Sequence, residues 1–344
     1  MMLAGRSIAP DLEAEGGHAR FDLPDWPTFG FADDIRPALR RARERRTPVA
    51  LATIVGQDGG GPRPIGTQML ISREEVCGFL SGGCVESDVA QHALLTIADG
   101  APRRLAYGEG SPWPDIRLLC GARMELLVER IDPDDAAVGQ LLELYEQRQL
   151  ATWMSDGRRR ACRPTDGLAP WPNAVSQVYQ PACRLIVLGR DPTAMAMAVL
   201  GAQSGMETWL LRHLGPESGP GLPGVAYRGG DSIAALQALR PDRWTAIAVA
   251  NHDLDLDHAC LVDALASEAF YVGLLGAQRR LPQRLAALAQ AGLSPAALGR
   301  LRAPIGVDIG GKAPWEISVG VIAEVMSVWR RPGLGPARAK PAEM

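Results

Sequence analysis

Residues 184–189 read Arg184-Leu185-Ile186-Val187-Leu188-Gly189, an unbroken apolar run closed by a glycine. A short run without polar alternation reads as a strand buried on both faces, and the stretch after it, to about residue 204, reads as a helix. A second apolar run at 207–211 completes a strand, helix, strand unit. Working outward, helix 231–239, strand 244–250, helix 256–266, strand 270–275, helix 279–291 and a last helix 314–330, opened by Pro314, continue the alternation. Such alternation packs as a parallel sheet with helices on both faces. The fold class is therefore α/β, with a Rossmann-like doubly wound parallel-sheet domain over residues 182–331.

Upstream the period changes. Residues 33–46 carry six arginines and one glutamate on a helix-like stretch, which a solvated basic face explains better than a polyanion site. Strands are expected at 49–55, 67–72, 77–80, 103–107 and 124–130, with an apolar helix at 85–98, so residues 33–132 form an α+β domain. From 133 to 181 a helix is followed by Pro164, Pro170, Pro172 and Pro181 and by the run Arg158-Arg159-Arg160. These interrupt every period, so the stretch reads as a helix and Pro-rich linker. Residues 1–32 read as a loose N-terminal extension and 332–344 as a flexible tail.

Composition narrows the function. Of 344 residues, 47% are apolar and 22% charged, an ordinary globular mix that does not suit a disordered chain or a coiled coil. Lys plus Arg number 36 against 39 Asp plus Glu, a net charge of -3, which argues against nucleic acid as a partner. No apolar stretch approaches the ~18 residues that span a bilayer, so no membrane association is expected. The first twenty residues lack a secretory pattern, and the expected location is cytoplasmic. The six cysteines are scattered without a C-x-x-C pair, so reduced thiols acting singly are expected; Cys162 falls in the linker and Cys260 in an ordinary helix.

Several turns carry residue types suited to chemistry. Ser81-Gly82-Gly83-Cys84-Val85-Glu86 lies between a strand and a helix, where glycines let the backbone approach a ligand and free amides at the helix start point outward. A thiol there is favoured as thiolate by the helix dipole, which prepares Cys84 to meet a soft metal or attack sulfur. The competing reading is a small buried cysteine under a tight turn. Gly61-Pro62-Arg63-Pro64-Ile65-Gly66 presents one arginine, whose planar fork suits phosphate, and Cys120-Gly121 places a second soft ligand before a strand.

In the α/β half, a dinucleotide turn needs G-x-G-x-x-G, but the string is Gly189-Arg190-Asp191-Pro192-Thr193-Ala194. Asp191 would repel a diphosphate. The acidic residue that holds a ribose is also missing, the second strand being followed by Arg212-His213. NAD(P) is therefore not expected as a cofactor. Better candidates are the loops after later strands: Asn251-His252-Asp253, then Gly276-Ala277-Gln278-Arg279-Arg280 at a helix start suited to phosphate, and Asp308-Ile309-Gly310-Gly311-Lys312. The bland readings are a satisfied loop histidine and two arginines capping a surface helix.

These strings together resemble the XdhC/CoxI family of accessory proteins for molybdenum hydroxylases. The resemblance covers residues 33–331. It rests on Gly61-Pro-Arg-Pro-Ile-Gly66, Ser81-Gly-Gly-Cys-Val-Glu86, Gly110-Ser-Pro-Trp-Pro-Asp115, Cys120-Gly121, Asn251-His-Asp253, Tyr271-Val-Gly-Leu-Leu-Gly276 and Ala303-Pro-Ile-Gly-Val-Asp-Ile-Gly310. The departure is the first Rossmann-like turn, where related chains keep more glycines.

The resemblance implies a chaperone that binds the molybdenum cofactor, supports exchange of a Mo oxo for a sulfido ligand, and inserts the cofactor into an apo molybdenum hydroxylase of the xanthine dehydrogenase type. The cofactor is molybdopterin, with or without an added cytosine nucleotide. A carrier for this anionic, metal-bearing pterin needs phosphate donors and a soft environment for molybdenum. Cys84 and Cys120 are then the residues for the metal. Arg63, Gly82, Gly83, Glu86, Gly121, His252, Asp253, Gly276, Arg279, Arg280 and Asp308 complete the cofactor-binding set. Implied partners are the large subunit of the hydroxylase, a cysteine desulfurase as sulfur source, and a second copy in a homodimer. Two other readings compete: an NAD(P)-dependent oxidoreductase on the Rossmann-like half, and a sulfurtransferase carrying persulfide on Cys84.

Overall fold

The computed structural model describes residues 22–59, 63–108, 123–165, 169, 171–276 and 278–330. They fall into two units that divide after Gln180. Among the described residues no helix is long and apolar enough to cross a membrane.

The first unit is organised by β1 (Val49–Asp58), an apolar strand whose side chains alternate between two cores. Val49 and Leu51 join one, with α1 (Arg36–Arg45); Ala50, Ala52 and Ile54 join the other. The chain continues through β2 (Gln68–Ile71), β3 (Val76–Gly78), α2 (Glu86–Asp99), β4 (Arg103–Tyr107) and β5 (Arg123–Ile131). The sheet runs β3-β2-β1-β5-β4, antiparallel at every pairing. α2 covers one face through Val89, Ala90 and Ala93.

Beyond β5 the structure differs from the linker expected at 133–181. α3 (Ala136–Glu146), capped by the Asp135 carboxylate, is followed by β6 (Ala151–Ser155), β7 (Arg160–Pro164) and β8 (Val175–Tyr179), which pair as a small antiparallel sheet in the order β7-β6-β8. Ala151, Trp153, Cys162 and Tyr179 enter the same core as Val49 and Leu51. Cys162 is therefore a core residue rather than a linker one.

Pro164 escapes the usual exclusion of proline from sheets because β7 is an edge strand and the proline stands at its end. Arg160, the last of the three arginines, turns inward. Its Nε donates to Glu129 Oε2 at 3.1 Å and its Nη1 to Asp135 Oδ2 at 2.7 Å, while Ser155 Oγ donates to the same Glu129 at 2.5 Å. Burial still pushes the Glu129 carboxyl above its ordinary range, with Arg160 opposing.

The second unit begins with β9 (Arg184–Gly189), α4 (Pro192–Gln203) and β10 (Glu207–His213), as the opening strand-helix-strand pattern requires. β11 (Val225–Gly230), α5 (Ser232–Leu239), β12 (Thr245–Ala250), α6 (Leu254–Ala266), β13 (Tyr271–Leu274), α7 (Leu281–Gln290), α8 (Pro295–Leu298), β14 (Leu301–Arg302) and α9 (Pro314–Trp329) follow. The sheet is parallel, in the order β11-β10-β9-β12-β13-β14. Numbered within the unit this is 3-2-1-4-5-6, the order of dinucleotide-binding Rossmann folds, with the topological switch point between β9 and β12.

Both faces are covered. Leu185, Val187, Ala246 and Ala248 pack with α4 and α9 on one side; Ile186, Leu188, Ile247 and Val249 pack with α5 and α6 on the other. β11 escapes sequence reading because it is a half-exposed edge strand ending in Gly229-Gly230, and β14 has only two residues.

Candidate functional site

In the first unit the turn from β3 to α2 is built around one carboxylate. Glu86, the first residue of α2, is 2% exposed and folds back into the turn. Its Oε1 accepts the N–H groups of Leu80 (3.1 Å) and Ser81 (2.6 Å), and its Oε2 those of Gly83 (3.1 Å) and Val85 (3.2 Å). Ser81 Oγ donates to Oε2 at 2.7 Å and accepts from the Cys84 N–H at 3.1 Å. The amides of Gly83 and Val85 therefore do not point outward as expected. They satisfy an internal anion, which removes Glu86 itself from the surface a ligand would meet and gives it a positioning role.

That arrangement leaves Cys84 on top. Among the described cysteines it is the exposed one: Cys77, Cys162 and Cys260 are buried and Cys183 is half-buried. Burial pushes the thiols of Cys77 and Cys260 up to about 11 and that of Cys162 up to about 12. Gly82 and Gly83 have φ of +152° and +95°, conformations that disfavour a side chain, and a Cβ at either would meet nothing within 4 Å. The backbone beside the thiol is open to an approaching group. The buried-cysteine reading of Cys84 is thus replaced by an exposed thiol over a bare turn.

Three residues that sequence reading passed over form a chain of contacts from α2 to β4. Tyr107, fully buried on β4, donates its hydroxyl to Asp88 Oδ2 at 2.6 Å, and His92 Nε2 lies 3.7 Å from the same oxygen. Burial first, then the bond to Asp88, push the Tyr107 phenol well above its ordinary range, so it stays a donor. The signal was the four-residue spacing of Asp88 and His92, which puts them on one face of α2.

Arg63 pairs with Asp33. Cys120 and Gly121, with the strings at 61–62 and 110–115, lie outside the described residues. Among the described residues no group of three His, Cys, Asp or Glu side chains has metal-binding geometry.

In the second unit the carboxyl ends of β9, β12 and β13 bring Gly189-Arg190-Asp191, Asn251-His252-Asp253 and Gly276 to one edge of the sheet. His252 has φ +59° and sets Nε2 2.9 Å from Asp191 Oδ2, while Asp191 Oδ1 caps α4 by accepting the Ala194 N–H at 2.8 Å. Asp253 caps α6, accepting from Asp255 (3.1 Å) and Leu256 (3.0 Å). Asp308 accepts from Gly310 at 2.8 Å within its own turn. Those two expected ligand residues, Asp253 and Asp308, therefore spend hydrogen-bonding capacity on local backbone.

Arg279 and Arg280 are exposed on a 3₁₀ turn (Gln278–Arg280), and α7 begins only at Leu281. The arginine that reaches inward is Arg284, one turn into α7. Its Nη2 lies 3.2 Å from Asp257, a fully buried carboxylate whose other oxygen accepts the Asn251 N–H at 3.2 Å. Arg284 thereby braces the loop that carries His252. Nothing in the sequence distinguished it from its neighbours, since the partner lies 27 residues upstream.

Comparison with known proteins covers both units. Residues 42–108 match the model of the XdhC and CoxI family, and residues 185–325 match that of the XdhC Rossmann domain. The chain is 32% identical over 303 residues to the molybdenum cofactor insertion chaperone PaoD of Escherichia coli (strain K12), covering 86% of this chain and 89% of that one. It is 24% identical to a protein of Bacillus subtilis (strain 168) described as a probable subunit of xanthine dehydrogenase, covering 84% and 95%. A solved structure described as a xanthine dehydrogenase from Bacillus halodurans superposes with a TM-score of 0.71 at 21% identity, covering 89% of this chain and 98% of that one, a likeness of fold.

Proposed function

From the fact that this chain belongs to the XdhC and CoxI family, we propose that it binds the molybdenum cofactor and delivers it to an apo molybdenum hydroxylase of the xanthine dehydrogenase type. The observation that carries the reading is the exposed Cys84 thiol over the bare Gly82-Gly83 turn, held from beneath by Glu86. A soft donor beside open backbone suits a metal bound through sulfur to an anionic pterin. Cys84 faces the molybdenum, and the sequence motif Cys120-Gly121 is assigned to the same cofactor by its family pattern alone. Arg63 in the first unit holds an anionic group; in the second unit Gly276, Arg279 and Arg280 suit one independently, while His252 is engaged by Asp191. The chaperone also supports replacement of a Mo oxo by a sulfido ligand, with a cysteine desulfurase as sulfur source, and works as a homodimer in the cytoplasm.

The test is Cys84→Ser in the full chain, expressed in a host that makes the cofactor. Pterin is measured as its fluorescent oxidation product, molybdenum by elemental analysis, and transfer by activation of an apo hydroxylase. Cys84→Ser should lose most bound pterin and most activation, while Cys183→Ser keeps both. Full retention of pterin and activation by Cys84→Ser would remove the thiol from the site. A desulfurase-dependent persulfide on Cys84 in wild-type protein lacking pterin would favour the sulfurtransferase reading instead.

A further inference from the structure

The second unit has the strand order of a dinucleotide-binding fold, and its switch point is the place where a diphosphate would lie. The residues there do not fit one. We propose that this crevice is a self-occupied dinucleotide site: the Asp191 carboxylate stands where a ligand phosphate would, and its removal uncovers a latent site for NADPH.

Each position of the fingerprint can be read off the structure. Gly189 keeps the role of the first glycine, because a Cβ there would come within 2.6 Å of Ala194 Cβ and 2.8 Å of the Ala250 carbonyl oxygen. Ala194 fills the third position, fully buried between α4 and the sheet. Only the second position is changed in kind. In nucleotide-binding turns a glycine there lets a diphosphate reach the helix N-terminus, whose N–H groups and positive dipole end receive it. Here Asp191 supplies the negative charge from within. One oxygen takes the Ala194 N–H, and the other takes His252 Nε2 from the loop after β12.

The pair spans the gap between β9 and β12, tying the two walls of the switch point together across 61 residues of sequence. A diphosphate entering this turn would meet a carboxylate already holding its donors. The adjacent charges are Arg190 on one side and Asp253 on the other, and Asp253 faces its own helix start as a cap.

Beyond Asp191 the turn keeps the strand-to-helix geometry of a nucleotide site, with Pro192 at the first position of α4 offering no N–H of its own. The parallel edge is complete, and β10 ends in Arg212-His213 rather than in the acidic residue that binds a ribose 2′-hydroxyl. An arginine at that place accommodates a 2′-phosphate, so the uncovered site should prefer NADPH to NADH. The inference does not depend on what the thiol turn carries.

The experiment titrates the full chain with NADPH and with NADH, read by cofactor fluorescence and by calorimetry, for wild type, Asp191→Gly, Asp191→Ser and His252→Ala. Wild type should show no saturable binding up to about 1 mM. Asp191→Gly, which restores the second glycine, should bind NADPH at least about tenfold more tightly than wild type and more tightly than NADH. Asp191→Ser keeps a side-chain cap for α4 and should stay folded, so it carries the test if the glycine variant melts early. His252→Ala leaves the carboxylate in place and should gain nothing. Micromolar NADPH binding by wild type, or no gain in a folded Asp191→Gly or Asp191→Ser, would overturn the proposal. A gain in His252→Ala equal to that in Asp191→Gly would also overturn it, since bulk rather than charge would then close the site.

Discussion

The turn after β3 and the turn after β9 are alike in outline and opposite in use. Each leads from a strand through glycine into a helix, and each contains a carboxylate that accepts backbone N–H groups, four in the first and one in the second. In the first, the acid is Glu86, the first residue of the helix. Its side chain folds beneath the turn, takes four amides and a hydroxyl, and leaves the glycines and Cys84 open above. In the second, the acid is Asp191, one residue before its helix, and it takes one amide and a histidine at the mouth of the crevice. A glycine turn at a helix start therefore says little about binding until the position of its acid is known. Beneath the turn, the acid prepares a surface; at the mouth, it fills one.

The contrast breaks first at Glu86. Glu86→Ala leaves the amides of Leu80, Ser81 and Gly83 and the Ser81 hydroxyl without their acceptor, the Val85 amide keeping Ser81 Oγ, a loss of roughly 3 kcal/mol at typical costs for unsatisfied buried groups. Urea unfolding should register it as a lower midpoint. Asp191→Ala, by comparison, removes a helix cap and a half-exposed contact, and should cost only about 1 kcal/mol. Equal losses at the two positions would mean that the buried carboxylate is no more structural than the one at the crevice.

Next in size is the brace behind the second turn. Arg284→Met leaves Asp257 a buried charge without its cation, which typically costs about 3 kcal/mol. The variant should unfold at lower urea concentration and loosen the His252 loop, seen as faster amide exchange at Asn251 through Asp253. Asp257→Asn combined with Arg284→Met removes the stranded charge and should recover part of the loss. No recovery in the double variant would show that Arg284 acts by packing its stem rather than by pairing.

How far this contrast was legible in the sequence follows the range of the interactions. Strands set by local apolar runs were read nearly to their ends, such as Arg184–Gly189, because an unbroken apolar run and burial on both faces coincide there. β6, β7 and β8 were missed because prolines and arginines imitate a linker, and the inward turn of Arg160 depends on Glu129, 31 residues away. Glu86 was legible as an acid at a helix start but not as the anion of the turn, since an acid there is equally explained by the helix dipole. Asp191 was legible as a charge in the wrong place. Its pairing with His252 was not, because two strand ends meet there only in the folded sheet. Cys84 could be named from sequence, whereas its exposure required the fold.

The smallest expected effect on stability is at Cys84 itself, and it sharpens the contrast most cheaply. Cys84→Ser removes an exposed sulfur that fills no core, so the change in unfolding free energy should stay within about 0.5 kcal/mol. Reactivity should separate sharply. Alkylation proceeds through the thiolate, and at pH 8 a thiol pushed up to about 12, as Cys162 is, carries only about one part in 10⁴ of it. Cys77 and Cys260, at about 11, carry about one part in 10³ and are also shielded from reagent. Timed alkylation of the native chain, followed by peptide mass analysis, should label Cys84 well before these three, and Cys84→Ser should remove one fast-reacting equivalent. Raising the pH from 8 toward 10 should speed the buried thiols only as their thiolate fraction grows, by about tenfold per unit while the pH stays below their pKa. Labelling of Cys162 as fast as Cys84 at pH 8 would mean that the small sheet of the first unit opens on the timescale of the reaction, and that exposure does not single out the thiol on the glycine turn.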